Sequence, residues 1–274
     1  MPEPALASLH VYPLKAVRGH APRDAAVEPW GLAGDRRWML VDGTARVVTQ
    51  RSHPGLALVT AQLLPGGGLR LSGPGRKELA VGVPASGDTL VARLFRDDVE
   101  LVLAEAAAHA WFSAYLDADV RLVHLDRPAT ARAIDPRYAR PGETVTLADG
   151  YPLLLTSLSS LDALNTLVAQ GAHAAEGPLP MSRFRPSAVV EGLPAWDEDD
   201  WERVAIGEVS FRAPKACGRC VVCTTDQDTA RRGKEPLHTL GRYRRFGDQL
   251  VFGRHLVPET AGTLRVGDPV TVLA

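Results

Sequence analysis

At 274 residues, with 45% hydrophobic and 23% charged residues, the chain has the composition of a soluble globular protein and enough length for one large core or two moderate ones. A net charge of −1 carries no global basic signal for nucleic acid, and no apolar run is long enough to span a bilayer. Met1-Pro2-Glu3-Pro4 has neither the basic nor the hydrophobic region of a signal peptide, so the sequence predicts a cytoplasmic protein without nucleic-acid or membrane partners.

The 25 Gly and 21 Pro cut the chain into short apolar segments, which favours strands joined by turns. Leu9 to Tyr12 alternates before Pro13. Trp38 to Val41, the turn Asp42-Gly43 and Ala45 to Val48 predict a hairpin. Leu56 to Leu64, Leu69 to Leu71 and Leu79 to Val83 predict further strands, for which a closed or nearly closed antiparallel sheet is the natural arrangement. Glu105 to Leu116 is Ala-rich and free of Gly and Pro, so it reads as a helix, followed by a strand from Val120. Residues 126–150 read as a long loop. Ser159-Ser160-Leu161-Asp162 predicts a capping box opening a helix to about Val168, with Leu158, Leu161, Leu164 and Leu167 as its core stripe. After a second loop over 171–186, strands return at Ala188 to Val190, Val204 to Ile206 and Val209 to Phe211. Gly262 to Leu273 reads as strand, tight turn, strand.

All three cysteines fall between Cys217 and Cys223. Thiols at this spacing invite a metal, a redox couple or a nucleophile. A zinc site needs a fourth ligand, which His238 or His255 would have to supply. An iron–sulfur motif lacks its fourth cysteine. Cys217 and Cys220 have the spacing of a dithiol couple but lack a surrounding thioredoxin-like pattern. Arg219 adjoins Cys220 and favours its thiolate, whereas Cys223, after Val221-Val222, reads as a small buried hydrophobe.

The run Cys217-Gly218-Arg219-Cys220, then Thr224 to Thr229, Lys234-Glu235-Pro236-Leu237, Leu240-x-x-Tyr243-Arg244, Phe252-Gly253 and Val266 to Val270, resembles the signature of MOSC domains. Tyr12-Pro13-Leu14-Lys15, Gly31-Leu32-x-Gly34-Asp35-Arg36-Arg37-Trp38 and Thr49-Gln50-Arg51 resemble the β-barrel domain that precedes MOSC in the same family. The pattern is most similar to the mitochondrial amidoxime reducing components and their bacterial counterparts. The resemblance implies a mainly β, α+β fold: an N-terminal barrel-like domain over residues 1–100 and a MOSC β-barrel with a few helices over 101–274, with a helical linker at about 104–117.

The resemblance also implies a molybdenum cofactor, Mo-molybdopterin, with Cys220 as the protein ligand to the metal. A soft thiolate suits a high-valent metal already held by a dithiolene. For the pterin and its phosphate it points to Lys15, Arg36, Thr156, Ser157, Arg183, Arg185, Ser187 and Cys217, and it sets Asp226 beside Cys220 as a catalytic residue. Ala16 and Ser187 stand where the reducers have serine and asparagine. The implied activity is two-electron reduction of a small N-hydroxylated substrate, with electrons from a separate flavin or iron–sulfur protein. Two other roles are open: a sulfur carrier using a Cys220 persulfide, and a carrier or store of the cofactor.

Overall fold

The computed structural model describes residues 3–85 and 87–273. The fold is mainly β with three α-helices among these residues, matching the expected class. The largest sheet runs, strand by strand, Ala5–Leu9, Ala188–Glu191, Leu153–Ser157, Gln249–Pro258, Val209–Gly218, Arg203–Ile206 and Val270–Val272, with the short Arg245–Phe246 pairing on Gln249–Pro258. Its two edges nearly meet. Ala5 bridges Pro269, Leu6 N–H donates to Asp268 O at 2.9 Å, and Val270 N–H donates to Pro4 O at 2.9 Å. The result is a nearly closed barrel, which leaves little edge to pair elsewhere. The interior is filled by Leu6, Leu155, Val190, Ile206, Phe211 and Leu256, each at most 1% exposed.

A five-stranded half-barrel places Val47–Val48, Trp38–Asp42, Val120–His124, Asp97–Leu103 and Thr89–Leu94 side by side. The expected hairpin is present, with Leu40 opposite Val48 and Val41 opposite Val47. Helix α1, Ala106–Leu116, buries Ala108, Trp111 and Phe112 against this half. It ends where Asp117 turns left-handed (φ 50°).

Several expected elements are shifted. The strand expected from Leu56 is shortened to Thr60–Leu63, because Pro54–Leu58 winds into a 3-10 turn with proline at its start. The strand expected from Leu9 lies earlier, at Ala5–Leu9, and Val11 makes only a bridge to His20. Helix α2, Leu158–Ala169, starts before the expected capping box. Its N-cap is Ser157, and no side chain caps it. Ser159 Oγ instead donates to Leu193 O at 2.7 Å and Ser160 Oγ to the Glu198 carboxylate at 2.8 Å, so both hydroxyls tie the helix to the neighbouring loop. The buried stripe is Leu161, Leu164 and Val168, with Leu158 and Leu167 only half-buried. α2 links the parallel strands Leu153–Ser157 and Ala188–Glu191. The closing strands Gly262–Arg265 and Val270–Val272 do not pair with each other. The first joins Asp24–Glu28 and the second joins Arg203–Ile206, so the turn between them is a corner between two sheets. Helix α3, Leu237–Tyr243, packs on Gln249–Pro258.

The loop expected over 126–150 has little regular structure but is pinned. Arg132, 5% exposed, donates to the carbonyls of Thr146, Ala148 and Asp149 and to the Asp97 carboxylate. That anchor fixes the segment 148–152, which reaches the site described next.

Candidate functional site

A cleft of about 230 Å³ opens between the segments carrying Lys15, Arg36 and Thr49–Arg51 and the barrel. Its wall carries five cationic side chains, Lys15, Arg36, Arg51, Arg185 and Arg219, against the single carboxylate of Asp149. Cys217, Cys220, Cys223, Ser187 and His255 complete the polar lining. Lys15 is buried, Arg36, Arg185 and Arg219 are half-buried and Arg51 is exposed, so this surplus of positive charge favours an anionic ligand.

The three cysteines are in three different states. In an extended chain residues i and i+2 share a face. Arg219 therefore lies with Cys217, not with its neighbour Cys220: its guanidinium is 3.0 Å from Cys217 Sγ and donates to Phe184 O at 2.7 Å. Burial alone raises the Cys217 thiol, but the nearby charges of His255 and Arg219, with a hydrogen bond from Arg219, pull it down to about 6. Burial pushes the Cys223 thiol up to about 11, and its Sγ lies 3.0 Å from Cys220 O, so it is a protonated, packed residue. Cys220 is more exposed than the other two and has one partner, the Arg51 guanidinium at 3.6 Å. The expected Arg219–Cys220 pairing is thus replaced by Arg51–Cys220. Among the described residues no group of three or more His, Cys, Asp or Glu is placed to hold a metal, so the zinc-type quartet is not formed.

Lys15 is 7% exposed and donates to Leu147 O at 2.8 Å and to the Asp149 carboxylate at 2.5 Å. The Lys15 charge holds the Asp149 carboxyl far below the usual carboxylate range. That carboxylate is 64% exposed toward the open cleft, so solvent screens much of the pair's attraction. Arg36 is held from behind by Asp35 at 2.6 Å, and the same buried Asp35 accepts the Tyr12 N–H at 2.8 Å. The guanidiniums of Arg36 and Arg185 lie 4.4 and 4.3 Å from the Tyr12 ring centre. Burial lowers Arg185 to about 10. Ala16, Arg36 and Arg185 all adopt left-handed backbone (φ 68°, 45° and 54°). Non-glycine residues rarely do so, and such strain gathers where the surrounding structure holds side chains for a purpose.

Of the residues singled out from sequence, Lys15, Arg36, Arg185, Ser187, Cys217 and Cys220 line this one cleft. Thr156, Ser157, Arg183 and Asp226 do not. Thr156 Oγ1 contacts Met181 Sδ and Ser157 Oγ bonds Ser159 Oγ, both at the far end of a strand that meets the cleft only at Leu153 and Leu154. Arg183 and Asp226 pair with each other at 3.1 Å. Arg183 also donates to Thr224 O, and Asp226 accepts from the N–H groups of Asp228 and Thr229, so together they brace the turn that follows the cysteines. Four further residues line the cleft: Arg219, expected only as the neighbour of Cys220, His255, considered only as a zinc ligand, and Arg51 and Asp149, to which the sequence assigns no site role. Arg51 stood inside a motif already singled out, whereas Asp149 lies in a loop with no local signal.

The chain matches the model of the MOSC N-terminal beta barrel domain over residues 3–119 and that of the MOSC domain over 142–271. It is 31% identical to the mitochondrial amidoxime-reducing component 1 of Homo sapiens over 98% of this chain and 82% of that protein. It is 30% identical to component 1 of Xenopus laevis (97% and 81%) and 33% identical to component 2 of Rattus norvegicus (95% and 80%). Among solved structures, the YUAD protein of Bacillus subtilis covers 97% of this chain and 94% of its own, at 10% identity and a TM-score of 0.39. The expected cytoplasmic location is corrected by the relatives, whose names place them in mitochondria. No described helix is long and apolar enough to cross a membrane. The chain belongs to the family that joins a MOSC N-terminal β-barrel domain to a MOSC domain, the family of the amidoxime-reducing components.

Proposed function

We propose that the chain is a reductase of N-hydroxylated compounds that works with a molybdenum cofactor bound in the cleft. The observation that carries this is the single available thiol of Cys220 among five cations. The cleft residues fit the group. Cys217 is engaged by Arg219 and Cys223 by its own turn, leaving Cys220 as the one soft ligand, and the Nε of Arg219 and the Nδ1 of His255 are buried without partners. When bound, the cofactor supplies two-electron exchange at the metal. In this reading Lys15, Arg36 and Arg51 come from the N-terminal domain and the cysteines, Arg185 and Arg219 from the MOSC barrel, so that each part gives one wall of the cleft.

The roles of the chain's own side chains follow from their chemistry. Cys220 would hold the metal through its sulfur, beside the Arg51 guanidinium 3.6 Å away. Arg36 and Arg185, with their planar forks, take the phosphate and pterin edges, and Lys15 and Ser187 add donors. Asp149, ionised at neutral pH, gives a fixed acceptor to a substrate N–H. Two electrons and two protons convert an amidoxime N–OH to an amidine N–H and water. The chain carries no motif for a flavin, haem or iron–sulfur group, so the electrons come from a separate protein.

The test is turnover of an aromatic amidoxime by the purified holoprotein. Reduction is expected with reduced viologen and not with NADH or NADPH alone. Robust NADH oxidation by the isolated chain contradicts the reading, as does failure with reduced viologen at full cofactor content.

A further inference from the structure

Among the described residues seven large hydrophobic side chains are exposed, and three of them, Val221, Tyr243 and Phe246, lie in segments that flank Cys220. Val221 is the next residue in the chain. Tyr243 ends α3, which packs against the turn Val221–Thr224. Phe246 belongs to the Arg245–Phe246 strand. Arg245 is opposite Leu250, whose carbonyl accepts the Arg219 N–H at 2.7 Å, so the Phe246 ribbon lies beside the segment that carries Cys220.

Phe246 is held in its exposed position. Beneath it Arg244 is buried and paired with Asp199 at 2.5 Å. The Arg244 guanidinium lies 4.1 Å from the Trp196 ring centre and 4.8 Å from that of Phe246. An aromatic fixed in advance loses little conformational freedom on binding, and aromatic and arginine side chains dominate protein interfaces. The same face is basic. Arg242 and Arg245 are exposed on the ribbon, and Arg51, Arg231 and Arg232 are exposed on the other side of Cys220, where Arg232 donates to the carbonyls of Gln50 and Arg51. The opposing exposed acids are Asp248 and Asp228, the latter paired with Arg18. In a chain of net charge −1 this is a local concentration of positive charge.

We propose that this face, centred on Phe246 and rimmed by Arg242 and Arg245, docks the electron donor, a small redox protein with an acidic surface around its own redox centre. The inference rests on the reductase reading and adds where the donor binds and what its surface must be. A second copy of the chain fits poorly, because a two-fold contact would set the arginines against each other. A one-electron donor docks twice per substrate, and the protons come from solvent.

The experiment uses the holoprotein with two acidic probes, a reduced plant-type ferredoxin and a reduced flavodoxin, over a range of ionic strength. Wild type is expected to accept electrons from at least one probe, faster at low salt. The R242E/R245E double variant is expected to lose about tenfold in second-order rate at low salt and most of the salt dependence. Phe246→Ala should lose rate with the salt dependence kept. Turnover with reduced viologen and molybdenum content should stay at wild-type values in both variants. If viologen supports turnover but neither probe does, or if the variants match wild type with the working probe, the docking proposal is overturned while the reductase reading stands. If viologen fails too, the reductase reading falls and the docking proposal with it. Tight oligonucleotide binding at physiological salt, lost in R242E/R245E, would assign the face to nucleic acid instead.

Discussion

Asp35 is the residue through which the fold holds the cleft open in the right form, and Asp35→Asn isolates that role. The carboxylate is 1% exposed, accepts the Tyr12 N–H at 2.8 Å and pairs with Arg36 at 2.6 Å. Asparagine can keep the amide bond through its oxygen but turns a neutral amide toward the guanidinium. Breaking a buried ion pair by removing one partner costs about 3–5 kcal/mol. Arg36 keeps its stacking on Tyr12 and is itself slightly exposed, which places the loss near the lower end, at about 3 kcal/mol. For a chain of this size that is a drop of roughly 6–12 °C in Tm. Asp35→Ala also strands the Tyr12 N–H and should cost about 1–2 kcal/mol more. Circular dichroism melts of the two variants against wild type measure both steps. A Tm within a degree of wild type for Asp35→Ala would show that the cluster beneath Arg36 carries no stability, and the reasoning would be wrong.

Pterin retention on dilution should fall more in Arg185→Ala than in the exposed control Arg70→Ala, measured by fluorescence of the released pterin, and equal retention places the phosphate elsewhere. Cys217 should titrate near 6, seen as the difference in 240 nm absorbance between wild type and Cys217→Ser. Because its folded value lies below the ordinary 9.0, its contribution to stability is full above about pH 9 and is lost as pH falls through 6. Cys217→Ser should therefore flatten the rise of stability between those limits, and an unchanged slope refutes the assignment. Gly253→Ala should destabilise by about 2 kcal/mol or more, since φ is +78° and a Cβ would stand 2.5 Å from Leu155 O. A wild-type melt for that variant would contradict it.

The barrel class was legible because Gly and Pro marked the turns and short apolar runs marked the strands between them. A closed or nearly closed sheet was expected; which segments close it was not legible, since that depends on Ala5 meeting Pro269 across almost the whole chain. The capping box failed for a related reason: Ser159 and Ser160 found partners more than thirty positions on in the chain, at Leu193 and Glu198, instead of the helix end. The cysteine run stood out by its density. Which arginine serves which thiol did not, because strand alternation turned Arg219 away from its neighbour and brought Arg51 from 169 positions away. Thr156, Ser157, Arg183 and Asp226 carried the right chemistry in the right motifs. Local bonding, above all the Arg183–Asp226 pair, keeps them off the cleft wall.

The most direct measurement is molybdenum and pterin per chain, by elemental and fluorescence analysis, in wild type, Cys220→Ala and Cys223→Ala purified from a host that makes the cofactor. Near-stoichiometric metal in wild type and Cys223→Ala, with its loss in Cys220→Ala, is the expected result. Equal metal in all three, or none in wild type, would contradict ligation through Cys220.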